Sequence, residues 1–342
     1  MSNEHRLPRT AIPIRYDIRL APDLEAFTFD GRVKIELDVP TETDRLVLNA
    51  VELTIHEATV ISGDGSRRTA SVAYDPGSQR IALRFDQPLP AGRYSLRVRF
   101  AGTLNDQLHG FYRSTFTDAE GVERVVALTQ FESTDARRAF PCWDEPEYKA
   151  VFGVKLDIDP SLAAFSNGPE VKRKALENGR VRITFADTMK MSTYLVAMVV
   201  GPLEATDAID VDGVPVRIAH PIGKGHLTAW AEECGEWYLR WLAGYYGIPY
   251  PGDKVDHVAV PDFAFGAMEN LGCITYRETA LLLDPATSGQ YQRRRIADVI
   301  AHELAHMWFG DLVTMRWWDG IWLNEAFASF MEMKAVDVKH PE

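Results

Sequence analysis

The chain has 342 residues, 46% of them hydrophobic and 25% charged, which excludes a largely disordered protein and leaves room for about two domains. A formal net charge of -12 argues against a nucleic-acid partner, and no apolar run reaches the roughly 18 residues that a membrane span needs. Cys142, Cys234 and Cys273 lie too far apart for a disulfide framework or a CxxC metal site, so they read as free thiols in a reducing compartment. The opening MSNEHRLPRTAIPIRYD lacks the apolar stretch of a signal peptide, and a cytoplasmic location is expected.

From about residue 10 to 200, apolar and polar residues alternate in short runs. Arg32 to Val39, Arg80 to Phe85 and Tyr94 to Phe100 have the period of two that marks half-buried strands. Asp30-Gly31, Ser62-Gly63-Asp64-Gly65 and Glu177-Asn178-Gly179 are expected to be turns between strands. With no repeat of fixed period, this half is expected to be a β-sandwich, residues 1–203. The pattern then changes, and a junction is placed near Gly201-Pro202. Leu227 to Tyr246 reads as a helix, His257 to Val260 as a strand, and Gln290 to Phe309 and Trp322 to Val336 as further helices. Residues 204–342 therefore form an α+β second domain.

The chemistry centres on His302-Glu303-Leu304-Ala305-His306. Side chains four apart share one face of a helix, so both imidazoles can reach one ion, with Glu303 beside them to take a proton from a water that the ion activates. A catalytic zinc site takes three protein ligands, and Glu325 is a candidate third, in the first turns of a helix and among apolar Trp322, Leu323, Phe327 and Phe330. Two imidazoles and a carboxylate favour catalytic zinc over a structural all-thiolate site.

His302-Glu303-x-x-His306, eighteen intervening residues and Glu325 together resemble the gluzincin pattern of the aminopeptidase N family of zinc metalloaminopeptidases. Gly266-Ala267-Met268-Glu269-Asn270 matches that family's exopeptidase motif, and Thr129 to Pro146 and His306 to Val336 are similar to further family signatures. The resemblance implies an N-terminal β-sandwich of saddle-like form followed by a thermolysin-like domain, with one zinc per chain held by His302, His306 and Glu325. It implies peptides with a free amino terminus as substrates, their ammonium held by Glu132 and Glu269, with Gln130 lining the pocket for the first side chain. Carboxylates suit an ammonium, which offers only donors. Gly266 and Ala267 would let the backbone approach an extended peptide, with Met268 and Asn270 completing the motif. Glu303 is then the general base for hydrolysis of the first peptide bond.

Family members also carry a tyrosine downstream of the glutamate ligand and a C-terminal helical region. Seventeen residues follow Glu325 here and none is tyrosine, so the second domain is expected to be incomplete, its remainder missing or supplied by a complementing chain. The alternative readings are a zinc- and peptide-binding fragment without turnover, and a bifunctional epoxide hydrolase and aminopeptidase. The second is disfavoured because such relatives usually carry glycine where Ala267 stands.

Overall fold

A computed structural model describes residues 5–341. The N-terminal stretch supplies β1 (Ile12–Asp23), β2 (Thr28–Val39), β3 (Thr43–Asn49), β4 (Thr54–Ser62), β5 (Arg67–Thr69), β6 (Ser71–Asp75), β7 (Arg80–Leu89) and β8 (Gly92–Thr103). Then come β9 (Gly110–Thr117), β10 (Glu123–Gln130), β11 (Val151–Ile158), β12 (Ala163–Ser166), β13 (Glu170–Ala175), β14 (Val181–Phe185) and β15 (Met198–Gly201). They are followed by β16 (Leu203–Ala205), β17 (Ile209–Val211), β18 (Val214–Pro221), α1 (Ala229–Tyr246) and β19 (Val255–Val260). The last elements are β20 (Ala267–Met268), β21 (Cys273–Arg277), α2 (Gln290–His306) and α3 (Trp322–Lys339).

Two compact units interleave along the chain. The first takes the residues up to Tyr112 with Thr129–Pro160 and Glu170–Val196, and the second takes Arg113–Leu128, Ser161–Pro169 and the chain from Ala197 onward. The junction expected near Gly201-Pro202 thus falls inside the second unit. The reason is strand pairing: β15 is bonded to β10 at Ala127 and Leu128, and to β12 along Ala163 to Ser166. These ladders draw short pieces of the preceding sequence into the second unit.

In the first unit an eight-stranded sheet has the order β13-β14-β11-β1-β2-β8-β4-β5, and a three-stranded sheet the order β3-β7-β6. The β1–β11 pair is parallel and the other pairs of the large sheet are antiparallel. Alternation does what it predicts: Tyr16, Ile18 and Leu20 of β1, Val33, Ile35 and Leu37 of β2, and Leu96, Val98 and Phe100 of β8 are buried on one face. Ser62 to Gly65 and the Glu177 to Gly179 segment are turns as expected. Asp30-Gly31 is not; it lies inside β2. Gly31 pairs directly with Phe100, and a Cβ on Gly31 would stand 2.2 Å from that ring. The glycine makes room for a core aromatic rather than bending the chain.

The second unit contains most of a four-stranded sheet, β12-β15-β10-β9, and a sheet ordered β16-β18-β19-β21-β20, with β17 also on β18. The central β18, β19 and β21 run parallel, and every residue of β19 is buried, as in a parallel strand covered on both faces. A buried cation ties this sheet together. Lys254 Nζ donates to the carbonyls of Ser166 and Gly272, each at 2.6 Å, and to Asp256 at 2.7 Å, while Arg217 grips Asp256 from the other side at 2.8 and 2.9 Å. Asn167 adds a bond to the Leu271 carbonyl. Gly272 has φ +71°, and a Cβ there would meet the Asn167 carbonyl at 2.3 Å, so the turn closes only with glycine. Helices α1, α2 and α3 pack on one another, α1 also on β17 and β18; α1 ends at Gly247 in the left-handed conformation. Among the described residues no helix is long and apolar enough to cross a membrane.

Gly31→Ala should lower stability by about 1–3 kcal/mol, the usual range for overpacking a closed core. The urea midpoint of the first unit's unfolding, read by circular dichroism, checks this; an unchanged midpoint would mean that the Phe100 ring moves aside freely.

Candidate metal centre

Helix α2 has no glycine or proline, and Ile296, Ala297, Ile300, Ala301, Leu304 and Ala305 form its buried side. That anchoring sets the azimuth of His302, Glu303 and His306. The next helix is held to it by aromatic contact: Phe309, just past α2, packs tilted against Phe327 of α3 at a ring-centroid distance of 3.9 Å. Glu325 lies in the first turn of α3, where a carboxylate also suits the helix dipole.

The three donors expected to share an ion are brought together. His302 Nε2 and His306 Nε2 are 3.0 Å apart, and Glu325 places one oxygen 3.4 Å from the former and the other 3.6 Å from the latter. Bonds of about 2.0–2.1 Å to a tetrahedral ion imply donor separations of roughly 3.3 Å, so the spacing fits. The outer nitrogens make the stronger argument. His302 Nδ1 lies 3.0 Å from a Glu332 carboxylate oxygen and His306 Nδ1 lies 3.1 Å from the Phe309 carbonyl. A carboxylate and a backbone carbonyl both accept, so each Nδ1 carries a proton and each Nε2 is left facing inward as the atom available to an ion. Two Nε2 atoms facing each other at this distance need a proton or a metal ion between them, and such outer hydrogen bonds commonly orient metal-ligating histidines.

The electrostatics show how strongly this pair holds positive charge: burial opposes charge on His302, yet Glu325 and Glu332 outweigh it and push its pKa up to about 11, so a proton and a metal ion compete for the Nε2 positions. Burial would raise Glu325, but hydrogen bonds to the two imidazoles hold it well below the usual carboxylate range. Glu303 is buried and raised by that burial, with the imidazoles opposing. Glu269 and Glu303 each place a carboxylate oxygen within 4.8 Å of one another and of a His306 nitrogen. Glu269 is 3% exposed; burial and then the charges of Glu303 and Glu325 push its pKa up, and its Oε1 has no hydrogen-bond partner among the described residues. The cluster is thus rich in acceptors and short of positive charge.

Gly266 to Asn270 run along the terminal strand of their sheet. Ala267 and Met268 form β20, paired with Tyr276 and Thr275 of β21, and Asn270 Nδ2 donates to Thr275. Gly266 is exposed, with nothing within 4 Å of where its Cβ would be. In the first unit Gln130, buried, ends β10, and Glu132, half-buried, follows two residues on; Gln130 Nε2 reaches the Glu132 carbonyl at 3.5 Å. Sequence reasoning missed Glu332. Its signal was the seven-residue step from Glu325, two turns along α3, which puts both carboxylates beside His302.

The profile described as Peptidase M1 N-terminal domain matches residues 12–195, more than half of the chain, and that described as Peptidase family M1 domain matches residues 230–342. The chain belongs to peptidase family M1. Among M1 relatives it is 45% identical over 98% of its length to aminopeptidase M1-A of Oryza sativa subsp. japonica, covering 39% of that protein. It is 43% identical over 98% of its length to the puromycin-sensitive aminopeptidase of Caenorhabditis elegans and 42% over 99% to human endoplasmic reticulum aminopeptidase 1, covering 36% and 37% of them. The M1 chain thus spans well under half the length of these curated relatives.

Glu332→Gln should weaken zinc affinity about 10–100-fold, the usual effect of removing an outer carboxylate from a ligating histidine. Competition with a chromogenic chelator measures this, and unchanged affinity would show that Glu332 does not orient His302.

Proposed function

We propose that this M1 chain carries the zinc-binding and ammonium-binding parts of a metalloaminopeptidase, acting on peptides with a free amino terminus. In the same reading its first part is a β-sandwich and its second a thermolysin-like domain. The observation that carries the proposal is the juxtaposition of two inward-facing imidazoles and Glu325 with Glu303 and an unpartnered, buried Glu269 oxygen.

Zinc held by His302, His306 and Glu325 would polarise the scissile carbonyl and acidify the attacking water. Glu303 takes that water's proton and later delivers it to the departing amine; burial raises its pKa above the usual carboxylate range, in the direction that favours accepting a proton. Glu269 accepts from the substrate ammonium, which supplies the donor its buried oxygen lacks. The exposed edge of β20, at Gly266 to Met268, accepts an extended peptide as an added strand. The family motif further assigns Glu132 to the ammonium and Gln130 to the first side chain.

The first test is hydrolysis of aminoacyl chromogenic substrates by the 342-residue chain, with zinc measured alongside. Glu303→Gln should keep about one zinc per chain and lose turnover by on the order of 10²–10⁴-fold, the usual worth of a general base; retained turnover would remove Glu303 from that role. Acetylating the substrate amine should abolish hydrolysis by the wild type. Equal turnover on blocked and free amines would instead point to an enzyme that cuts internally.

A further inference from the structure

The outward face of the eight-stranded sheet holds an arrangement that the proposed peptidase chemistry does not use. In the register of the sheet, Lys155 of β11 pairs with Arg19 of β1, Arg19 with Arg32 of β2, and Arg32 with Arg99 of β8. Four basic side chains therefore stand abreast, and the row ends at Glu57 of β4, opposite Arg99. Directly opposed side chains have Cβ atoms about 4.5–5.5 Å apart, and like charges at that spacing are destabilising.

The adjoining rows do not share this pattern. One step along the strands Asp17, Lys34 and Arg97 are opposed, with Asp17 3.7 Å from Lys34, and Lys34 also pairs with Glu36 at 2.6 Å. In the basic row Asp157 compensates Arg19 at 2.5 Å, and Arg182 as well. Arg32, Arg97 and Arg99 are exposed and make no hydrogen bond or ion pair with any described residue.

Two clefts lie over the row. One of about 280 Å³ is walled by Arg19, Arg32, Arg99 and Arg180, with Asp30 and Asp157. The other, about 630 Å³, shares Arg19, Arg32 and Arg99 and adds Lys34, Arg67 and Arg97, with Asp17 and Glu57. Together their walls hold seven basic side chains against four acidic ones, in a chain whose net charge is -12.

We propose that this face binds a chain of linked phosphates, centred on Arg32 and Arg99. A guanidinium presents a planar fork of donors that matches a phosphate's oxygens two at a time. Strands about 4.8 Å apart set successive arginines at a pitch that several linked oxyanions can follow and a single ion cannot. The bound anion supplies the countercharge that Arg32 and Arg99 lack.

The test is calorimetric titration of the 342-residue chain with sodium tripolyphosphate at low salt, with equal zinc content confirmed for every variant. Saturable binding is expected, at least tenfold tighter than for orthophosphate, and weakened at least tenfold by Arg32→Ala/Arg99→Ala. The control is Arg45→Ala/Arg84→Ala, which removes the same charge from a pair opposed on the three-stranded sheet, outside both clefts. An equal loss in the two double variants would reduce the effect to general charge attraction and overturn the site. So would no binding, or binding of polyglutamate but not tripolyphosphate. Tighter binding of ATP than of tripolyphosphate supports the site and places the phosphates on a nucleoside, whereas equal or weaker binding of ATP supports a free polyphosphate.

Discussion

Two imidazoles on one helix, each pinned at its outer nitrogen, are the constraint around which the candidate site is arranged. Because Glu332 and the Phe309 carbonyl occupy the Nδ1 positions, the two Nε2 atoms must face the same point. Glu325 completes that point from a different helix, and the Phe309–Phe327 contact holds the two helices in the register that allows it. A site of this kind is assembled by the packing of α2 on α3 and not by any single motif. Local distortion of either helix would separate donors that bond lengths of about 2.0–2.1 Å require to be close.

Charge shapes the site as much as geometry does. Glu269, Glu303 and Glu325 lie close together, and burial with mutual repulsion raises the cost of ionising Glu269 and Glu303. Such a cluster is stable only with positive charge inside it. In the proposed reaction that charge comes from the dication at one end and the substrate ammonium at the other, so the same carboxylates that repel one another select the site's ligands. The Lys254–Asp256–Arg217 group plays the opposite part nearby: two cations share one buried carboxylate, Lys254 spends its other donors on backbone carbonyls, and the group fixes the turn that follows the Gly266 to Asn270 segment.

The overall charge of the chain hides how unevenly charge is distributed. Net charge speaks to solubility and long-range attraction, whereas a row of opposed basic residues is a local property of strand register. Arg19, Arg32 and Arg99 are 13 and 67 positions apart in sequence, and nothing in their immediate neighbours marks them as a group. The hydrogen-bonded ladder alone makes them a single surface.

Much of the chemistry was legible before any coordinates. A metal-binding pair four residues apart is a local pattern, fixed by helical pitch, and alternation alone located β2, β7 and β8 because side-chain direction in a strand has a period of two. Helices α1, α2 and α3 were likewise evident from long stretches without proline. Non-local facts were not legible. Whether Gly31 turns the chain or yields to Phe100 depends on a strand some seventy residues away, and the interleaving of the two units depends on which partners β15 finds. Glu332 looked like any helix-face glutamate until α3 was packed on α2. The sequence by itself determined which side chains were chemically able to hold an ion, since that follows from residue type and local spacing; only the tertiary structure decided which of them converge, since convergence is a property of packing between segments that the chain keeps apart.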